Sequence, residues 1–245
     1  MSKITVIIPA RYASVRFPGK PLALIGGVPM IERVYRQAEK AEVDEVIAAV
    51  DDARVRDAVE NFGGSAVMTD PALPNGTARC AAAARRRGIK EGFVINIQGD
   101  EPFIAPEQIN RTASLLREGK APIATLVSPA VSEKEILDPN RVKAVTDRKG
   151  RALYFSRAPL PFRRDGNYAD HARSYLIHIG IYGFQAEVLH ALEGLPTGTL
   201  EAAESLEQLG WLENGYLIYT AQTSERTDAV DTPEDLEALQ KKFFL

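Results

Sequence analysis

The residues of this chain best suited to chemistry are a group of cations near the N-terminus and acids far downstream. Residues 7–22, IIPARYASVRFPGKPL, begin as an apolar run and then place Arg11, Arg16 and Lys20 in a turn-rich loop with Pro18, Gly19 and Pro21. No Asp or Glu precedes Glu32, although the chain holds 33 acidic and 30 basic residues. Arginines grip phosphate oxygens in pairs, lysine supplies a point charge, and a glycine-turned loop can aim backbone amides at an anion. The stretch therefore reads as a polyphosphate cradle, with a solvated basic loop as the plainer alternative. It is not a Walker loop, because GKP lacks the hydroxyl after the lysine and two prolines remove amide donors. Nor does the chain carry the glycine fingerprint of a dinucleotide site.

Acids able to hold the metal of a nucleoside triphosphate should sit at other strand ends. FVINIQGDEP places Asp100 two residues beyond an apolar run, with Gln98 on the same face by the period of two. DAVDTPED places Asp231 just before a helix start. Alone, Asp231 could be a helix cap and Asp100 and Glu101 turn acids. With the basic loop, they suggest Mg²⁺ held between carboxylates and phosphates.

The elements that must position these groups alternate. KITVII, EVIAAV, SAVM and FVINIQ read as strands. Between them lie three helices: one with Met30, Ile31, Val34, Tyr35 and Ala38 on a single face, RVRDAVENF stopped by Gly63 and Gly64, and ARCAAAARRR followed by Gly88. The order predicts a largely parallel sheet covered on both faces, whose ligands sit at the carboxyl ends of the strands. The pattern changes after about residue 120. RVKAVTDRKGRALYFSR predicts a hairpin turning at residues 147–150, and 158–174 form a polar loop. YLIHIGIYGF reads as a strand, EAAESLEQLGWLE as one helix, YLIYTA as a strand, and DTPEDLEALQKKF as a last helix with Thr232 as its cap, Pro233 first inside, and Asp235 three residues on. One compact unit with a strand-rich lobe is expected.

Composition narrows the function. A net charge of −3 disfavours nucleic acid or an anionic membrane as partner. Cys80 is the only cysteine, so no intrachain disulfide forms, and its place in a helix marks it as a packing residue. The short apolar runs fit neither a signal peptide nor a membrane span, and the chain is expected to be cytoplasmic.

Through IPARYASVRFPGKPL, INIQGDEP, ALYFSRAPLPF, HIGIYGF, LEQL and VDTPEDLE, in that order and nearly end to end, the sequence resembles the 3-deoxy-manno-octulosonate (KDO) cytidylyltransferase family. The resemblance implies an α/β fold with a mainly parallel, Rossmann-like sheet of the nucleotide-diphospho-sugar transferase type and a smaller strand-rich lobe. Residues 1–125 would be mainly nucleotide-binding, 126–220 would take the acceptor and help build a homodimer, and 221–245 would carry a metal-ligand aspartate and the final helix. It implies transfer of CMP from CTP to the anomeric hydroxyl of KDO with release of pyrophosphate, for lipopolysaccharide synthesis, with Mg²⁺ as cofactor. Arg11 and Lys20 would hold the triphosphate with Arg16 nearby, Gly76, Thr77, Arg79 and Gln98 would complete the nucleotide site, and Asp100 and Asp231 would bind the metal. Arg157, His178, Tyr182, Glu207 and Gln208 would surround the sugar acid. No covalent nucleophile is required, because metal and cations can carry an in-line displacement at phosphorus.

Some positions depart from the family pattern. NGTAR stands where Ser-Gly-Thr-Asp/Glu-Arg is usual, so Asn75 and Ala78 differ; Gly210 follows LEQL where arginine is common, and Ile177 precedes His178 where a base is frequent. The acceptor is therefore open between KDO, 8-amino-KDO, another 2-keto sugar acid and a small phosphonate. A nucleotide-binding protein without catalysis is the further alternative. Outside the site, a core histidine is the plain reading of His178, and a surface ion pair that of Arg157. His171, His190 and Arg85–Arg87 are expected at the surface, Trp211 in a core or interface, and the Tyr175–Phe184 stretch is a candidate interface.

Overall fold

A computed structural model describes residues 2–13, 17–119, 121–226 and 229–244. The chain begins with β1 (Ile4–Ala10) and the short hairpin β2 (Leu24–Ile25) and β3 (Val28–Pro29). It continues through α1 (Met30–Glu39), β4 (Glu45–Val50), α2 (Ala53–Asn61), β5 (Ala66–Met68), α3 (Gly76–Arg86), β6 (Phe93–Asn96) and α4 (Pro106–Arg117). Then follow β7 (Ile123–Pro129), α5 (Glu133–Leu137), β8 (Lys143–Thr146), β9 (Ala152–Ser156), β10 (Leu176–Gln185), α6 (Ala186–Leu192), α7 (Thr199–Glu204), α8 (Glu207–Glu213), β11 (Ile218–Gln222) and α9 (Pro233–Phe244).

Among the described residues the main sheet has nine strands in the order β11-β7-β10-β6-β1-β4-β5, with β8 joining β10 and β9 pairing with β8. The β6-β1-β4-β5 half is parallel, because each α-helical crossover returns the chain to the same edge. β10 runs antiparallel between β6 and β7. The chain leaves β1 for β4 and β5 on one side, then returns to lay β6 on the other. Strand order thus reverses at β1/β6, and the crevice beyond the carboxyl ends of those two strands is where such sheets bind ligands.

Both faces of the sheet are covered, so β1 is apolar at almost every position. Ile4, Val6 and Ile8 pack on one side with Ile31 and Val34 of α1, Val55 of α2 and Ile109 of α4. Ile7 packs on the other with Cys80 of α3, Leu189 of α6 and Leu209 and Trp211 of α8. The face expected for α1, Met30, Ile31, Val34, Tyr35 and Ala38, is the face it buries. Gly63 and Gly88 end α2 and α3 with positive φ, as expected, and Gly150 (φ 80°) closes the β8–β9 turn, its N–H donating to Asp147 O at 3.1 Å.

Three differences stand out. α4 and β7 lie in a region where no element was expected; Pro106 starts α4, and Ile109, Thr112, Ala113 and Leu116 bury one face. The helix expected over 201–213 is two, α7 and α8, broken at Ser205 in the left-handed region (φ 52°). The Tyr175–Phe184 stretch is central strand β10, and Tyr175, Ile177, Ile181, Tyr182 and Phe184 are buried within the chain. These side chains are part of the core. Cys80 and Trp211 are buried as well, and His171 is exposed. His190 is only half-exposed, its Nε2 2.8 Å from Ile89 O.

Candidate active site

The strand ends that the topology brings together carry the charged residues. Pro9, Ala10, Arg11, Lys20, Pro21, Gly76, Arg79, Gln98, Gly99, Asp100 and Asp231 line one cavity of about 190 Å³. Arg11 follows β1 directly, Gln98 and Asp100 follow β6, Gly76 and Arg79 belong to the first turns of α3, and Asp231 precedes α9. Gly99 is required by the closeness of the two strand ends, since a Cβ there would lie 2.8 Å from Pro9 O. Arg16 lies outside the described residues.

The basic loop is pinned from both sides. Gly19, at φ 73°, donates its N–H to Tyr12 O at 2.8 Å, and Lys20–Leu22 form a single 3₁₀ turn. Tyr12 N–H donates to Asp51 Oδ1 at 2.9 Å, and the Arg54 guanidinium lies 3.6 Å from the centre of the Tyr12 ring. The turn delivers Lys20 to both acids: its Nζ donates to Asp100 Oδ2 at 2.6 Å and to Val230 O at 3.1 Å, and lies 3.7 Å from Asp231 Oδ1. Val230 N–H in turn donates to Asp100 O at 2.9 Å, fixing the C-terminal segment against the end of β6.

Asp231 is not the cap of α9. Thr232 Oγ1 accepts from Asp235 N–H at 3.2 Å, while Asp235 Oδ2 accepts from the N–H groups of Thr232 and Asp231 at 2.9 and 3.0 Å. This reciprocal box closes the helix start, and the Asp231 side chain is directed to Lys20 instead. Two carboxylates thus converge on one cation. Among the described residues no group of three metal-ligating side chains is assembled. The donor set nonetheless fits a hard cation such as magnesium, which takes one or two protein carboxylates and completes its shell with phosphate and water oxygens.

Arg79 is fully buried beside this cavity. Its Nη1 donates to Thr69 Oγ1 at 2.5 Å and Asp70 O at 3.3 Å, and Asp51 Oδ2 lies 3.5 Å from Nη2. Burial lowers its pKa, opposed by Asp51 and reinforced by nearby Arg11. Sequence reasoning missed Asp51 and Thr69. Asp51 holds Tyr12 with one oxygen and balances Arg79 with the other, and only the parallel pairing of β1 with β4 brings these positions together.

The residues expected around the acceptor are only partly gathered. His178 and Tyr182, on β10, have ring centres 5.3 Å apart, and Tyr182 also meets Trp211 edge-on. His178 Nε2 lies 2.9 Å from Thr125 Oγ1, and burial drives its pKa down to about 3, so the imidazole is neutral at physiological pH. Glu207, at the start of α8, has its pKa raised by burial, against a hydrogen bond from Thr77, with Glu201 raising it further and Arg11 opposing. Burial and Glu207 together push the Tyr182 hydroxyl well above its ordinary pKa. Gln208 is buried on the same helix.

Arg157 stands apart: its Nε, Nη1 and Nη2 donate to the carbonyls of Glu204, Pro139 and Ser205 at 2.7, 3.1 and 3.3 Å. Asn75, Ala78 and Gly210, three of the departing positions, line a second cavity of about 200 Å³ between α3, α8 and the α6–α7 connection, together with Thr77, Glu201, Glu207 and Trp211. His178, Tyr182 and Gln208 do not line it.

Comparison with known proteins agrees with this geometry. The model of the Cytidylyltransferase family matches residues 5–224. The 3-deoxy-manno-octulosonate cytidylyltransferase of Parabacteroides distasonis is 47% identical over 97% of this chain and 96% of its own length. The chain belongs to the cytidylyltransferase family. A second cytidylyltransferase of the same name, from Vibrio parahaemolyticus, is 46% identical over 96% of each chain. Among solved structures, a CMP:2-keto-3-deoxy-manno-octonic acid synthetase complexed with CTP superposes with a TM-score of 0.91 at 41% identity, covering 98% of both chains. The 4-diphosphocytidyl-2C-methyl-D-erythritol synthase of Anaerococcus prevotii, 15% identical with a TM-score of 0.62, shares the fold. The α/β architecture, the nucleotidyltransferase class and the family expected from the sequence are thus those found.

Proposed function

We propose that this enzyme transfers CMP from CTP to the anomeric hydroxyl of KDO, releasing pyrophosphate, in the cytoplasm and as a homodimer. The observation that carries the reading is the cavity at the β1/β6 switch point, where Arg11 and Lys20 face Asp100 and Asp231. The 44–48% identity to relatives named for this activity, over nearly the whole chain, supports it.

Arg11 and Lys20 would bind the phosphates and stabilise charge that builds on the leaving pyrophosphate, in the cavity at the ends of β1 and β6. Asp100 and Asp231 would hold magnesium, which when bound supplies charge neutralisation at the phosphates and a lowered pKa for an attacking hydroxyl. Before CTP arrives, Lys20 keeps both carboxylates paired and oriented, so the site is assembled in advance. His178, neutral, would offer a hydrogen bond to the acceptor rather than a charge, and Glu207 and Gln208 would bracket the sugar hydroxyls.

Asn75, Ala78 and Gly210 line the second cavity together with Glu207, and KDO as the acceptor rests on the relatives named 3-deoxy-manno-octulosonate cytidylyltransferase. Among the described residues no helix is long and apolar enough to cross a membrane. The test is pyrophosphate release from CTP and Mg²⁺ with KDO, 8-amino-KDO, other 2-keto sugar acids and small phosphonates in parallel. Turnover confined to KDO is expected, and turnover with another acceptor alone would overturn the assignment.

A further inference from the structure

Lys143, the first residue of β8, is fully buried, and the transfer of CMP leaves it without a role. Both hydrogen bonds of its Nζ end on backbone carbonyls, Arg157 O at 2.6 Å and Asp138 O at 2.9 Å. Burial lowers its pKa, opposed by Asp138 and Glu204 and reinforced by Arg157. A buried charge is costly to keep, and an apolar side chain of similar length would fill the same space without that cost. What the ammonium adds is a tie between the end of α5 and the end of β9, whose carbonyls would otherwise be left without this donor.

The tie lies among the residues expected around the acceptor. Lys143 stands opposite Ser156 of β9 and Ile177 of β10, and the neighbouring Val142 O accepts from His178 N–H at 2.8 Å. At the end of α7 the Glu204 carboxylate accepts from Ser156 Oγ at 2.6 Å and from Arg157 N–H at 2.8 Å. Arg157 reaches the other way, its guanidinium donating to the carbonyls of Glu204, Pro139 and Ser205. One lysine, one arginine and one carboxylate therefore cross-brace residues 138–143, 156–157 and 204–205. Glu207 and Gln208 open α8 just after Ser205. The brace sets the break from which α8 starts and the strand pairing that holds His178.

We propose that Lys143 and Glu204 are positioning residues for the acceptor: together they fix the end of β9 and the α7–α8 break, and so place His178, Glu207 and Gln208 around the sugar acid. Neither needs to touch the substrate. The inference rests on the acceptor reading of those three residues and adds to it the groups that hold them in place.

The experiment measures kcat and KM for KDO and for CTP by pyrophosphate release, in wild type, Lys143→Met, Glu204→Gln and the double variant, with melting temperatures alongside. Glu204→Gln keeps the size of a partly exposed side chain and replaces one of two accepting oxygens by a donor. Val59→Ala, in the core under α2, supplies a destabilised reference away from the brace. In each single variant KM for KDO should rise about tenfold or more while KM for CTP stays within about twofold. The double variant should be no worse than about twice the poorer single one, because both changes release the same brace. Val59→Ala should leave KM for KDO within about twofold. Unchanged KM for KDO in Glu204→Gln would overturn the inference even if Lys143→Met does not fold. So would multiplicative losses in the double variant, equal rises in KM for CTP and KDO, or a like rise in Val59→Ala. No turnover of KDO by the wild type would overturn the acceptor reading first, and this inference with it.

Discussion

Replacing His178 by asparagine should make the protein less sensitive to acid. The imidazole sits on β10 against Phe155, with ring centres 5.1 Å apart, and against Tyr182, and its Nε2 meets Thr125 Oγ1. Burial lowers its pKa from 6.5 to about 3 in the folded chain. Between these values the unfolded chain binds a proton that the folded chain refuses. The stability this residue contributes is therefore complete above pH 6.5 and is lost as the pH falls towards 3. From pH 7 to pH 5 the loss is about 2 kcal/mol if the folded chain takes up no proton, from a slope of about 1.4 kcal/mol per pH unit over about 1.5 units. The residue retains partial exposure, and solvent screening reduces the expectation to about 1–2 kcal/mol. Urea unfolding of wild type and His178→Asn at pH 5 and pH 7 checks it, because the other titrating groups, such as Asp52 and Asp165, are common to both proteins and cancel in the difference. The wild type should lose about 1–2 kcal/mol more than the variant over that interval. Equal losses, within about 0.3 kcal/mol, would refute the neutral, enclosed imidazole and with it the uncharged contact proposed for the acceptor.

Three further outcomes follow from the geometry. Asp100→Asn should lower kcat/KM for CTP by about 10²–10³-fold and raise the Mg²⁺ concentration needed for half-maximal rate, and full activity in that variant would show the metal assignment to be wrong. Gly99→Ala pushes a methyl group against Pro9 O and so displaces the strand end that carries Arg11; a fall in kcat/KM for CTP of about tenfold or more is expected, and unchanged kinetics would mean that the close approach does not position the site. Ser205→Gly removes a side chain from a left-handed residue between α7 and α8 and should raise unfolding stability by roughly 1 kcal/mol in urea, whereas a loss would show that the serine itself stabilises the break.

The parts of the fold legible in the sequence are those governed by local rules. β1, β4 and β6 are apolar because both sheet faces are covered, so their runs are continuous and their parallel pairing follows from the helices between them. The loop after β1 announced itself by charge, and Thr232, Pro233 and Asp235 announced the start of α9. Asp100 and Asp231 were legible as acids at element ends, but the lysine that joins them comes from 80 residues before Asp100, and no spacing encodes that contact. The break at Ser205 was hidden because serine rarely adopts a positive φ. The Asp51–Arg79–Thr69 arrangement was hidden because it depends on strand register. Arg157 illustrates the reverse case: a motif implied a ligand contact, while the folded chain directs its donors to three backbone carbonyls.

The central claim is that the chain joins CMP to a sugar acid and does not merely bind or hydrolyse CTP. A ³¹P NMR time course of wild-type enzyme with CTP, Mg²⁺ and KDO tests it most directly. The account predicts that the three CTP resonances are replaced by one phosphodiester signal and pyrophosphate in equal amounts, only when KDO is present. Unchanged CTP, or orthophosphate formed without a phosphodiester, would contradict it.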